Sequence, residues 1–336
     1  MSDSTMRAVV LDGFGGPEVM RLDQVPRPRP GPDQVLIRVA ATSVNRADLQ
    51  QRGGNYAPPP GESEILGLEV AGVIEQVGEG VSGWHAGDRV MTLVGGGGYA
   101  EYATAPASTL MRVPDGIDLV RAAGISEVFI TAWLNVFREA ALAPGETLLV
   151  HGGASGVGTA AIQLAKALGP SPVIVTAGDE TKAEACRGLG ADHVILYKRE
   201  DFAERVLALT DGRGANVILD HIGAAYLEPN LRCLALYGRL VIIGLLGGAK
   251  AELNIGRLMV KRQRIIGSVL RARPVAEKAL ITAAFREAAL HRFARGELKP
   301  VIHEVLPLAE ARRAHELIAA NANIGKVILR VDPSLT

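Results

Sequence analysis

The chain has 336 residues, with 36 Lys+Arg against 36 Asp+Glu, so its formal net charge is zero. That balance gives no electrostatic reason to expect nucleic acid or an anionic membrane as a partner. Two cysteines, Cys186 and Cys233, exclude a disulfide framework and a cysteine-rich metal site.

Along the chain, residues 6–11, 34–41, 70–77, 89–92 and 99–103 read as short strands. Gly/Pro-rich turns separate them, among them Pro26-Arg27-Pro28-Arg29-Pro30-Gly31-Pro32 and Gly95-Gly96-Gly97-Gly98. Strands at this spacing predict a β-rich, barrel-like domain over residues 1–125. The rhythm then changes. Helices are expected over 127–142, 180–188, 202–210 and 227–236, and strands over 148–150, 173–176, 193–197, 216–220, 239–243 and 264–270. Buried strands alternating with amphipathic helices imply right-handed crossovers and a doubly wound parallel sheet over 126–271. A long helix over 275–295, two apolar runs at 301–306 and 326–331, and a helix between them at 308–320 complete the chain. This tail is too small for its own core and is expected to rejoin the first domain, which then comprises residues 1–125 and 272–336. No run approaches the ~18 apolar residues of a membrane helix. The N-terminal segment lacks a secretory hydrophobic region, so a soluble, cytoplasmic protein is expected.

The densest signal lies at the first crossover of the parallel domain. The apolar run Leu148-Leu149-Val150 leads into Gly152-Gly153-Ala154-Ser155-Gly156-Val157-Gly158, and a long helical pattern follows. Gly156-Val157-Gly158-Thr159-Ala160-Ala161 reads G-x-G-x-x-A between a strand and a helix. There, glycines let backbone approach a pyrophosphate at a helix N-terminus, which makes Ser155, Gly156 and Val157 cofactor-binding candidates. Strand ends at the carboxyl edge of such a sheet line its binding crevice. His221, Ile222, Gly244 and Leu245 are therefore expected beside the ribose and nicotinamide, with Ser268 and Leu270 on the nicotinamide side.

Several landmarks recur in a fixed order: Ser43-Val44-Asn45-Arg46-Ala47-Asp48, Gly67-Leu68-Glu69, Gly87-Asp88-Arg89-Val90, Thr131-Ala132-Trp133, Leu189-Gly190-Ala191-Asp192 and Asn323-Ile324-Gly325-Lys326. With the glycine motif they resemble the medium-chain dehydrogenase/reductase superfamily over essentially the whole chain. Within it the chain resembles the zinc-independent, zeta-crystallin-like quinone oxidoreductases and, through Thr176-Ala177-Gly178, Asn216-Val217-Ile218-Leu219-Asp220 and Ser268-Val269-Leu270-Arg271-Ala272-Arg273, most of all the p53-inducible quinone oxidoreductase type. The resemblance implies an α/β protein with a GroES-like β-rich catalytic domain and a Rossmann cofactor domain. In zinc-dependent relatives the metal ligands are Cys, His and Cys or Glu. Here the matching positions hold Asn45, Leu68 and, nearby, Glu127. A leucine cannot ligate zinc and an amide is a poor thiolate substitute, so no metal is expected.

Without a Lewis acid the acceptor must already be electron-poor, as a quinone or an activated enone is. Tyr56 is the first candidate for orienting or protonating it. Asn45 is a second, as a donor to acceptor or ribose or as a helix N-cap with Asp48 at the third helical position. Thr131 matches the superfamily's hydroxyl beside the nicotinamide. For the cofactor, Gly178 stands where an acidic residue would select NAD, which leaves room for a 2′-phosphate. Lys182 and Tyr197 match positions that contact that phosphate in the resembling family. Asp179 either repels the phosphate or caps the next helix; capping is preferred, and NADPH is the expected cofactor. The leading expectation is an NADPH-dependent quinone oxidoreductase. The alternatives are an NADPH-dependent enal/enone double-bond reductase and a non-catalytic NADPH-binding protein. A homodimer is expected through the strand near 264–270, with a tetramer as the other possibility.

Overall fold

The computed structural model describes residues 4–169 and 171–335. They form two compact units: the chain up to Ile130 together with the segment from Leu270 onward, and Thr131–Val269. The strands of the first stretch are β1 (Thr5–Leu11), β2 (Met20–Pro26), β3 (Gln34–Val44), β4 (Glu69–Val77), β5 (Arg89–Leu93), β6 (Tyr102–Pro106) and β7 (Met111–Arg112). The second unit holds β8 (Leu148–Val150), β9 (Val173–Ala177), β10 (His193–Leu196), β11 (Ala215–Asp220), β12 (Leu234–Ile242) and β13 (Arg264–Gly267). β14 (Ile302–Pro307) and β15 (Lys326–Arg330) belong to the first unit again.

In the first unit β1 and β2 pair antiparallel, and a larger sheet runs β14-β15-β3-β4-β5-β7. β3 organises that sheet. Its first half, Gln34–Arg38, pairs with β6, and its second half, residues 41–44, pairs with β15, while β4 lies along its other edge. Its side chains are almost all buried, so both faces pack against protein. The C-terminal tail completes this sheet because β15 is a run of buried residues, Lys326 to Leu329, that has no core of its own.

The second unit is a six-stranded sheet in the order β10-β9-β8-β11-β12-β13, with every pairing parallel. Strand order reverses at β8, the first strand, which is where doubly wound sheets open a crevice at their carboxyl edge. β8 and β9 are buried along their whole lengths, as expected of strands covered by helices on both faces.

Some local readings change. Residues 234–236, expected to end a helix, begin β12; the helix stops at Cys233, and Tyr237 sits in the left-handed region at φ 59° as the strand bulges. A Leu-Ala-Leu run carries no period that separates helix from strand. β2 was not anticipated: Leu22 and Gln24 are exposed and Asp23 half-buried, so no apolar alternation marks it, and only pairing with β1 makes it a strand. The strand expected over 99–103 runs Tyr102–Pro106, the short β7 was not anticipated, and a helix occupies Ile255–Val260. The helices near 127–142 and 275–295 widen into π-turns at Leu134–Glu139 and Arg286–Leu290. Among the described residues, no helix is long and apolar enough to cross a membrane.

Candidate functional site

The second unit presents a phosphate-type cradle. The helix Gly156–Leu168 starts at Ser155, whose Oγ accepts the Gly158 N–H at 3.0 Å. The first intrahelical bond is Thr159 N–H to the Ser155 carbonyl, so the half-buried amides of Gly156 and Val157 have no partner in the helix. With the helix dipole they form an anion site. A Cβ on Gly158 would fall 2.4 Å from the Gly152 carbonyl oxygen and 2.6 Å from that of Gly153, and Gly152 has φ +60°. Only glycine lets turn and helix pack this closely.

A buried polar chain holds the turn in place. Thr176 Oγ1 accepts the Gly152 N–H at 3.0 Å and lies 3.2 Å from His151 Nδ1. His151 Nε2 lies 2.7 Å from Asn230 Oδ1, and Asn230 Nδ2 donates to Asp220 at 3.3 Å. Because the Asn230 amide nitrogen faces the carboxylate, its oxygen faces the imidazole, which assigns the proton to Nε2 and leaves Nδ1 to accept from Thr176. Burial pushes the His151 pKa down to about 3, so the ring is neutral. Asp220 is pushed up to about 6 by burial, against the N–H groups of Ile222 at 2.7 Å and Gly223 at 3.1 Å. His221, Ile222 and Gly223 are thereby fixed beside the turn: the His221 ring packs on Gly152, and a Cβ on Gly244 would meet the His221 carbonyl oxygen at 2.9 Å. Leu245 is exposed at the same strand end, and the Ser268 N–H follows β13 by bonding Ile242.

At the end of β9, Asp179 caps the next helix by accepting the Lys182 N–H at 2.9 Å, the role preferred for it, and its other oxygen lies 3.8 Å from Lys182 Nζ. A Cβ on Gly178 would meet Tyr197 Oη at 3.3 Å. Gly178, Lys182 and Tyr197 thus gather at one sheet edge, with glycine keeping it open. Thr131 Oγ1 is enclosed and has no hydrogen-bond partner among the described residues. These features fit a nicotinamide dinucleotide: free helix amides for the pyrophosphate, an open Gly178 edge with a lysine, and an unpartnered hydroxyl.

The first unit carries a second polar cluster. Glu69 is fully buried, and its carboxylate receives Ser43 Oγ, Asn45 Nδ2 at 3.2 Å, Lys326 Nζ at 3.0 Å and the Glu127 N–H at 2.8 Å. Lys326 Nζ also donates to Asn45 Oδ1 at 2.6 Å and to the Val44 carbonyl at 3.2 Å. Asn45 is the N-cap of the helix Arg46–Arg52, with Asp48 at the third helical position, and its amide is also engaged by Lys326 and Glu69. Asp48 accepts the N–H groups of Asn45 at 2.7 Å and Gly67 at 3.1 Å; burial pushes its pKa up to about 6. Tyr99 Oη lies 3.3 Å from Asp48 and 3.1 Å from His315 Nε2, and Arg52 approaches the other ring nitrogen at 3.0 Å.

Tyr56 is partly exposed and is held by Arg271. The guanidinium lies 5.2 Å from the Tyr56 ring centroid and donates to Gln51 Oε1 at 2.7 Å, the Gly95 carbonyl at 2.8 Å and the Tyr56 carbonyl at 3.4 Å. Arg271 is buried and ties the loops at 56 and 95 together. Burial raises the Tyr56 pKa, so its hydroxyl keeps its proton. Leu270 beside it is buried. Glu69 and Lys326 were not picked out as functional by sequence reasoning. The available signal was one acid and one base, each embedded in an apolar strand. The His151–Asn230–Asp220 chain left no such signal.

Fold and site together define a two-domain dehydrogenase/reductase of the dinucleotide type. Residues 31–115 match the alcohol dehydrogenase GroES-like domain, and residues 156–286 match the zinc-binding dehydrogenase domain. The rat quinone oxidoreductase is 35% identical over 327 residues, 96% of this chain and 97% of its own. A Pseudomonas syringae quinone oxidoreductase superposes with a TM-score of 0.88 at 32% identity, covering 97% of this chain and 100% of that one. The Escherichia coli quinone oxidoreductase solved in complex with NADPH gives 0.86 at 29% identity, with 97% and 100% coverage. The chain belongs to the medium-chain dehydrogenase/reductase superfamily, as a relative of the quinone oxidoreductases, with a GroES-like domain and a Rossmann-type parallel sheet.

Proposed function

We propose that the protein is a zinc-independent, NADPH-dependent quinone oxidoreductase. The carrying observation is the cluster at Asn45, Glu69 and Lys326. Of the three positions that match metal ligands in zinc-dependent relatives, one is a leucine, and the Asn45 amide is bonded to a lysine ammonium that also pairs with Glu69. Among the described residues no three His, Cys, Asp or Glu side chains group as metal ligands. Such a donor set suits an acceptor that takes hydride without metal activation, and a quinone does.

When bound, the reduced nicotinamide supplies the hydride. The chain's own residues bind and orient. Gly156 and Val157 amides hold the pyrophosphate, Lys182 and Tyr197 receive the 2′-phosphate beside Gly178, and the 221–223 turn with Gly244, Leu245, Ser268 and Leu270 flanks the ribose and nicotinamide. Thr131 Oγ1 donates to the nicotinamide, and Tyr56, steadied by Arg271, donates to the acceptor oxygen. Asn45 stands behind this site as a bonded scaffold residue. We further read the protein as cytoplasmic and as a homodimer joined along the outer edge of β13, whose Ile265 is exposed; Ile255, Met259 and Val260 on the helix Ile255–Val260 are exposed as well.

The test is oxidation of NADPH and of NADH with a panel of quinones and 2-alkenals, with metal analysis of the same sample. NADPH and quinones are expected to give the fastest turnover without stoichiometric zinc. Faster turnover of alkenals, preference for NADH, or one zinc per chain would refute the reading.

A further inference from the structure

Resting on that reading, we propose that Glu127 is the proton donor of the reaction, the carboxylic acid that protonates the acceptor oxygen once it has taken the hydride. Glu127 stands in the first turn of the helix Ser126–Trp133, one turn before Thr131. Residues four apart share a helix face, so the acid and the hydroxyl assigned to the nicotinamide belong to one side of one helix. The start of that helix is pinned by the Glu127 N–H on Glu69 Oε2, and Glu69 is itself held by Ser43, Asn45 and Lys326. The backbone is therefore rigid, while the Glu127 carboxyl accepts no hydrogen bond from the described residues and is partly open. Beside it the Ser126 hydroxyl is buried without a partner among the described residues. An acid with a fixed base and a head that none of the described residues ties down is built to exchange protons rather than to brace the fold.

The charges facing Glu127 are Glu69, Asp48, Lys326 and Arg271, with the Tyr56 hydroxyl also in its field. Desolvation and the Glu69 charge outweigh the two cations and push its pKa up to about 8, so it carries its proton at neutral pH. The balance closes. The quinone receives a hydride from the reduced dinucleotide and becomes a hydroquinone monoanion. The Glu127 O–H bond then breaks as the new O–H bond forms, giving neutral hydroquinone. The carboxylate regains its proton from water.

The experiment compares wild type, Glu127→Gln and Glu127→Asp, all checked for unchanged melting and for NADPH affinity within about twofold. The first readout needs no turnover: infrared difference spectra of the cofactor-free protein, titrated from roughly pH 6 to 10. Wild type should show a protonated-carboxyl band that disappears as pH rises through about 8, and the Gln variant should lack it. The second is NADPH oxidation by 1,4-benzoquinone. Wild-type kcat should fall as pH rises through the same range. The Gln variant should be ~100-fold slower at neutral pH and insensitive to pH there, and Asp should restore part of the rate. Asp48 and Asp220 contribute carboxyl signal that is lost near pH 6 in both proteins, so a band that still titrates near 8 in Glu127→Gln, or a Gln variant with unchanged kcat and an unchanged alkaline limb, overturns the proposal. A wild type that shows the band but reduces no quinone refutes the quinone reading instead, and with it Glu127's part in that reaction, while the raised acid stands.

Discussion

Replacing Lys326 by methionine tests the buried cluster directly. The side chains of Lys326 and Glu69 are 4% and 1% exposed and 3.0 Å apart, so the substitution leaves a carboxylate in the core without its cation. Breaking a buried pair in this way costs about 3–5 kcal/mol. Glu69 keeps three donors, Ser43, Asn45 and the Glu127 N–H, which places the expected loss near the lower end, about 3 kcal/mol. At about 2–4 °C per kcal/mol for a chain segment of this size, the first unit should melt ~6–12 °C lower. Adding Glu69→Gln should recover most of that loss, because the uncompensated charge is gone, giving a coupling of at least ~2 kcal/mol in a double-mutant cycle. Thermal unfolding followed by circular dichroism reads all four proteins. Lys326→Met within about 1 kcal/mol of wild type, or a strictly additive double mutant, would refute the account of the cluster. The Lys326 charge also lowers the Glu127 pKa, so the infrared titration of Glu127 should move to higher pH in Lys326→Met.

Gly158→Ala places a methyl 2.4 Å from the Gly152 carbonyl, and backbone cannot yield as a side chain can; calorimetry should show NADPH binding weakened at least ~10-fold, with ~1–3 kcal/mol lost from stability, and unchanged affinity would contradict the cradle. Burial and Arg52 hold His315 down to about 3. The folded state therefore binds its proton less readily than the unfolded chain, where the pKa is about 6.5, so this group's stability is complete above that value and lost as pH falls through it. Between pH 7 and 5 this one group loses about 2 kcal/mol, while Asp48, Asp220 and Glu127, whose raised values favour the folded state as pH falls, act in the opposite direction and together outweigh it. His315→Gln should therefore shift the change in stability between pH 7 and 5 by about 2 kcal/mol towards the folded state relative to wild type, and an identical pH dependence in the two proteins would argue against a neutral buried ring. Ile265→Lys on the edge strand should turn a light-scattering mass of two chains into one; a monomeric wild type would remove the dimer reading.

The sequence alone decided the sheet type, the strand–glycine–helix cradle and the class of cofactor site, because these depend on local periodicity and on glycines within a few residues of each other. Gly158 and the 178–182 edge were legible for that reason, and so was Asp179, whose cap lies three residues from its partner amide. Tertiary structure decided everything that joins distant segments. Lys326 meets Asn45 across 281 positions, Arg271 meets Gln51 across 220, and His151 meets Asn230 across 79. Nothing in the spacing of such residues marks them as partners; they meet only because β15 pairs with β3, and because β8 lies beside β11 in the parallel sheet. The same long-range pairing turned residues 20–26 and 234–236 into strands, since a strand's backbone bonds are made by another strand and not by its own sequence.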